Sequence, residues 1–297
     1  MKKIALVGTS PIMLIVANHL SKLGNNITIF NVNKKIGGAW AYFKFNNHFI
    51  NTQTNVIVPD TKFEERNIPL INEYLKKEFK VKININKNKF QPLGYLAKIN
   101  YNYKLNNLYQ KILNDKKINF SNKFLKEIIC LKNKVKVNNK IFDKIYVPTY
   151  CGINKIKIEN ETINIKPQLI ISEHAMIISK KLNKKFLGYS ENFDQNFDRA
   201  QIRKVDDYTV FTARVRKEKK GRNILKLIKN SKLIDTEKDI VKIVKTKYKN
   251  FYRNFEQRDY LMRHTKGTAI NYVNTALFVE GFFLINENFK LIKKKYK

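Results

Sequence analysis

Residues 3–40 read KIALVGTSPIMLIVANHLSKLGNNITIFNVNKKIGGAW. The apolar run over residues 4–7, stopped by Gly8, has the character of a parallel strand buried on both faces. From Pro11 to Leu23 apolar residues recur at Ile12, Ile15, Val16, Leu20 and Leu23, which is helical spacing. Pro11 suits a first helical turn and Gly24 a helix end. Residues 26–30 are β-branched and apolar and predict a second strand. Strand, turn, helix and strand within about thirty residues make the first part of a βαβ crossover.

The turn inside this unit carries the chemistry. Gly8-Thr9-Ser10-Pro11-Ile12-Met13 stands where a G-x-G-x-x-G loop would cradle a dinucleotide. The first glycine of such a loop makes the tight turn. The second lets the backbone approach a pyrophosphate, and the third lets helix and strand pack closely. The phosphates then rest on the helix N-terminus, where unpaired N–H groups and the dipole favour anions. Gly8 is kept, whereas Ser10 and Met13 replace the other two glycines. Ser10 adds a small side chain that can donate a hydrogen bond, and Met13 requires the helix to stand off or repack. Asn31 follows the second strand, where an acidic residue normally binds the adenosine ribose; its amide can bond a hydroxyl without charge assistance.

Gly37-Gly38-Ala39-Trp40 follows a few residues after the second strand. With Gly8, this pair makes the sequence resemble the flavoproteins with two-dinucleotide-binding-domain folds, in particular the amine oxidase, protoporphyrinogen oxidase and UDP-galactopyranose mutase group. The resemblance runs through residues 3–40, then more loosely through 51–57 and 105–148, about half the chain. It implies FAD, with NAD(P) as the alternative. Gly8, Ser10 and Pro11 would line the pyrophosphate, Asn31 the ribose, and Gly37, Gly38 and Trp40 the edge of the cofactor. It also implies a C-terminal segment returning to the flavin, for which residues 275–284, carrying Gly281, are the candidate.

Further along, residues 68–79 and 105–114 predict helices, and 81–85, 118–120, 124–130, 135–137 and 144–147 predict strands. Residues 156–179 suggest more strands, 209–216 alternate like one, and 237–255 read as a long helix. The expected fold is α/β: a Rossmann-like FAD/NAD(P)-binding domain with a β-meander over residues 1–150, and a smaller α+β substrate or cap region over 151–297. A return of that region's end to the first domain is left open.

Composition narrows the function classes. The 297 residues are 43% hydrophobic, with twenty Phe and fifteen Tyr, as a protein with a sizeable core requires. The net charge of +35 rests mainly on lysine, since only nine of the 59 basic residues are arginine. Lysine here accompanies abundant Asn and Ile, a pattern that A/T-rich codons produce, and the charge is spread along the chain. Specific nucleic-acid readout favours arginine, so the expectation is a small-molecule substrate and no specific nucleic-acid partner. There is no apolar run long enough for a transmembrane helix. Cys130 and Cys151 form no disulfide framework or zinc motif, and a reducing cytoplasm is the expected compartment.

His19, His48, His174 and His264 show no metal-ligand spacing, so no metal site is expected. Of these His48 is the substrate-contact candidate, with Thr54 and Asn55 in the polar run of residues 51–55. Arg199 and Arg253 are candidates for clamping an anionic substrate. The function expected is a flavin-dependent oxidoreductase taking hydride from a small molecule. The alternatives are a flavin-dependent nucleotide-sugar mutase and a non-catalytic nucleotide-binding relative.

Overall fold

In the computed structural model the described residues are 1–31, 36–52, 56–57, 62–87, 99–123, 125–149, 152–164, 166–183, 188–252, 254–273, 278–289 and 291. The opening unit forms as its pattern predicts: β1 (Lys3–Val7), α1 (Pro11–Lys22) and β2 (Asn26–Phe30). Ser10 caps α1, its Oγ accepting from the Met13 amide, and Gly24 follows the helix in the left-handed region at φ +85°.

β1 and β2 sit at the centre of a five-stranded parallel sheet. Its order is Ile270–Val273, Lys144–Pro148, β1, β2, Ile118–Ser121. Alternation along these strands divides the side chains between two cores. Ile4, Leu6, Ile27 and Ile29 face α1 and the helices Lys62–Phe79, Asn106–Leu113 and Phe278–Phe289. Ala5, Phe30, Ile145 and Val147 face a second sheet that includes the antiparallel meander Glu127–Leu131, Lys134–Val137, Lys140–Phe142. Met13 is fully buried in the helical core. The large side chain at the third glycine position is thus absorbed by packing. Strand Ile270–Val273 brings the last part of the chain back into the parallel sheet, and Gly281 lies in the helix that follows.

A third sheet of five antiparallel strands has the order Gly188–Glu191, Phe197–Val205, Tyr208–Val215, Gln168–Ser179, Ile240–Tyr252. One face packs on helix Ile224–Asn230 through Ala175, Ile177, Phe211 and Leu227. The other meets the hairpin Tyr42–Phe45/His48–Asn51 through Met176, Ile178, Val210 and Ile50. Here one expectation is corrected: residues 237–255 are not a long helix but contain the strand Ile240–Tyr252. Ile240, Ile243 and Val244 mimic helical spacing, yet from Val244 the sequence alternates. Val244, Thr246 and Tyr248 then share one face while Lys245 and Lys247 take the other, and this run pairs with Gln168–Ser179. The helical turn is confined to Phe255–His264, started by a capping box between Asn254 and Gln257.

The helix expected at residues 68–79 begins earlier, at Lys62, and carries Pro69 inside it. Strands Val56–Ile57, Ile99–Lys104 and Lys82–Lys87 form a further small sheet.

Candidate functional site

Two loops meet at the carboxyl edge of the parallel sheet. Gly8 turns the chain at φ +83°, and its amide donates to the Phe30 carbonyl at 2.8 Å, tying the end of β1 to the end of β2. A Cβ added at Gly8 would meet nothing within 4 Å, so the ground beside it is open. The second loop lies directly on the first. Gly37 donates to the Thr9 carbonyl at 2.9 Å, and a Cβ at Gly38 would stand 3.2 Å from Ser10 Cα and 3.4 Å from Ser10 N. Gly37 adopts φ +105°, and a Cβ there would lie 2.9 Å from the Tyr109 hydroxyl. Glycine is required at both positions, by backbone conformation and by crowding.

Two hydroxyls at this edge are buried without a hydrogen-bond partner among the described residues: Thr9 Oγ1, on a side chain that is almost wholly buried, and Thr149 Oγ1. Thr9 follows β1 and Thr149 follows the neighbouring strand Lys144–Pro148. The carboxyl ends of parallel strands are where α/β sheets receive ligands. Asn31 is buried just past β2, its backbone N–H donating to the Ser121 carbonyl at 2.9 Å.

Gly8, Ser10, Pro11, Asn31, Gly37 and Gly38 are therefore gathered in one place. Trp40 adjoins them: its amide donates to the Gly37 carbonyl, and its ring lies 6.3 Å from that of Tyr103. The Trp40 carbonyl accepts from Tyr109 Oη at 3.0 Å and from Asn51 Nδ2 at 2.9 Å. Asn51 in turn presents its carbonyl to Arg203 Nη2 at 2.9 Å. A continuous hydrogen-bonded path thus runs from the glycine pair to the antiparallel sheet.

The sheet face at the end of that path is polar and buried. Arg203 also donates to Gln201 Oε1 at 2.8 Å, and burial pulls its pKa down to about 10. Arg214 grips both carboxylate oxygens of Asp198, at 2.7 and 2.8 Å from Nε. His174 lies opposite Arg214 in the register, with Nε2 3.1 Å from Ser172 Oγ. Burial, then Arg214, lowers its pKa to about 4. Tyr248 stands across from Ser172, close enough to Tyr109 to interact with it electrostatically, and Tyr109 stacks on Tyr42 at 5.4 Å.

His48 and Arg199 lie elsewhere. His48 Nε2 contacts Asp206 at 2.6 Å, linking the tips of two hairpins. Arg199 is exposed, beside an irregularity in strand Phe197–Val205. Thr54, Asn55, Arg253 and Cys151 lie outside the described residues. Among the described residues no group of three or more His, Cys, Asp or Glu could hold a metal, and no helix is long and apolar enough to cross a membrane. Thr9, Thr149, His174, Thr212 and Tyr248 were not singled out by sequence reasoning. Thr9 is the unconstrained position of the glycine motif, and the others become neighbours only through long-range pairing.

The whole arrangement matches the folds of several solved structures. The chain superposes on a putrescine oxidase variant redesigned in its cofactor binding, with a TM-score of 0.59 over 98% of this chain and 97% of that one, at 8% identity. It matches a CLA-producing fatty acid isomerase from P. acnes with a TM-score of 0.54 over 100% and 99% of the two chains, at 9% identity. A candidate protoporphyrinogen oxidase from Exiguobacterium sp. 255-15 gives a TM-score of 0.52 over 98% and 99%, also at 9% identity. No protein-family model matches the chain, and no curated protein matches by sequence. At these identities the likeness is one of fold.

Proposed function

We propose that the chain is an FAD-dependent oxidoreductase acting on a small molecule. The observation that carries this reading is the seating of Gly38 on the Ser10 backbone beside the open ground at Gly8. That contact leaves a backbone-lined cradle at the carboxyl edge of a parallel sheet, the place and chemistry a dinucleotide needs. The unpartnered hydroxyls of Thr9 and Thr149 fit the same reading, because a polar ligand would satisfy them. FAD, when bound, supplies the hydride acceptor. Gly8, Ser10 and Pro11 would hold its pyrophosphate, Asn31 its ribose, and Gly37, Gly38 and Trp40 its inner edge.

The work left to the protein is positioning and exclusion of water. The antiparallel sheet would close over the cradle, joined to it through Trp40, Asn51 and Arg203. A mutase acting on a nucleotide-linked sugar has less support, because Arg203 and Arg214 are engaged by protein groups and not presented to a diphosphate.

The visible absorption spectrum of the purified protein tests the proposal. The expected result is an oxidised-flavin spectrum with FAD released at about one per chain, as one nucleotide cradle implies. Colourless protein that binds neither added FAD nor NAD(P)H would overturn it.

A further inference from the structure

Four polar atoms of the antiparallel sheet are shielded from solvent and have no hydrogen-bond partner among the described residues: His174 Nδ1, Thr212 Oγ1, Thr246 Oγ1 and Tyr248 Oη. Strand register puts all four on one face. His174 lies opposite Thr246, Ser172 opposite Tyr248, and Met176, on the same face as His174, opposite Thr212. This is the face that meets the hairpin following the glycine pair. Thr212 is fully buried and His174 nearly so, at 0% and 6% exposure. Buried polar groups are ordinarily satisfied, so four on one face without a protein partner among the described residues leave hydrogen-bonding capacity that a ligand could take up.

The charges around these atoms define what that ligand is. The charged groups acting on His174 are Arg214 and Asp198. Asp198 is engaged by Arg214, and Arg203 is bonded to Gln201 and to the Asn51 carbonyl. Burial and Arg214 keep the imidazole neutral, and burial keeps the Tyr248 hydroxyl protonated. The face therefore offers three hydroxyls and an uncharged ring nitrogen, each able to donate or accept. Beside Tyr248, the stacked pair Tyr42 and Tyr109 supplies a flat apolar flank.

We propose that this face binds the uncharged polar head of a small organic substrate, an amide, carbonyl or hydroxyl group, and discriminates against protonated amines. The proposal deepens the flavoprotein reading and rests on it for calling the ligand a substrate. A cation placed here would find no available carboxylate among the described side chains and would face two arginines.

The test compares two probes of one shape, benzamide and benzylammonium, on the full chain with 15N-labelled histidine. The His174 ring signals are assigned by their loss in His174→Gln. Benzamide is expected to shift the Nδ1 resonance saturably, whereas benzylammonium at the same concentrations is not. Thr212→Val, which removes one hydroxyl and keeps the shape, should weaken benzamide about tenfold, and Thr246→Val serves the same purpose if that variant does not fold. Equal or tighter binding of benzylammonium, a silent His174 signal with benzamide, or unchanged affinity in both variants would each overturn the proposal. FAD content is measured in parallel. If Thr212→Val loses FAD, the face serves the cofactor's own carbonyl edge and the proposal falls. If the wild type carries no flavin but benzamide still shifts His174, the flavoprotein reading fails while the head-group site stands.

Discussion

In the reading proposed above, the backbone would do the recognising at the edge of the parallel sheet, and side chains would do it on the antiparallel sheet. Around Gly8, Gly37 and Gly38 the decisive property is the absence of a Cβ: two loops touch main chain to main chain, and open ground is left beside them. On the sheet face the decisive property is what the side chains carry, an imidazole and hydroxyls held in burial by neighbouring strands. The first surface would suit a ligand common to many proteins, because a backbone-lined cradle at a helix N-terminus favours a phosphate whatever it is attached to. The second suits a ligand particular to this chain.

The comparison can be broken most decisively at His174. Its pKa falls from 6.5 to about 4 on folding. Between those values the unfolded chain binds more protons than the folded one, so stability rises with pH across this window and is lost as pH falls from 6.5 towards 4. The shift corresponds to roughly 3 kcal/mol at full effect. Urea unfolding at pH 7.5 and pH 4.5 should show most of this loss in the wild type and a flatter dependence in His174→Gln. Some slope will persist, because burial and Lys22 also lower the pKa of His19. An unchanged slope would mean that His174 is hydrated and the face is not a buried site.

The glycine pair should respond to a methyl group. Gly37→Ala places a Cβ 2.9 Å from the Tyr109 hydroxyl at a φ of +105°. Strain of this kind costs about 2 kcal/mol, visible as a lower urea midpoint together with loss of bound FAD. Gly8→Ala sharpens the contrast. It meets no atom within 4 Å, so its folding cost is limited to about 1 kcal/mol of left-handed strain, while FAD retention should still fall. A Gly8→Ala protein with full FAD content would remove the pyrophosphate from this loop.

How much of this was legible depends on the range of the interactions. The opening βαβ unit could be read from residues 3–30 because each element declares itself locally, through the run at Ile4 to Val7, the spacing from Ile12 to Leu20 and the stops at Gly8 and Gly24. The glycine pair was legible only through the family resemblance, and its contact with Ser10 is seen in the structure alone. The sheet face was not legible. His174, Thr212 and Tyr248 belong to three strands that meet only through pairing, and each looks ordinary in its own segment. Residues 240–244 even mimic a helix, and a twelve-residue partner strand overrides that pattern.

Both surfaces share one property that a smaller effect exposes. Thr9 and Thr212 each bury a hydroxyl that no described residue satisfies. Replacing either by valine should leave the ligand-free protein about 1 kcal/mol more stable, since an unsatisfied hydroxyl gives way to a methyl group of the same shape. The same changes should weaken binding of FAD for Thr9 and of the head-group probe for Thr212. Stability and function then move in opposite directions, the mark of groups retained for a ligand. Thermal melts with and without added FAD separate the two cases, and a loss of stability in the ligand-free protein would show that the hydroxyls already have partners.

The smallest effect expected is at His48, and it bounds the site. Its contact with Asp206 joins two hairpin tips in a solvent-exposed setting, with Asp206 65% exposed. Exposed pairs contribute little, so His48→Ala should change stability by less than about 0.5 kcal/mol. It should leave FAD content and benzamide affinity unchanged, because the path from the glycine pair to the sheet runs through Trp40, Asn51 and Arg203. The two hairpins meet at their roots through Ile50, Val210 and Met176 as well, so releasing the tips does not release the face. A fall in probe affinity in His48→Ala, at unchanged stability, would extend the binding surface to the rim and make His48 part of what the substrate touches.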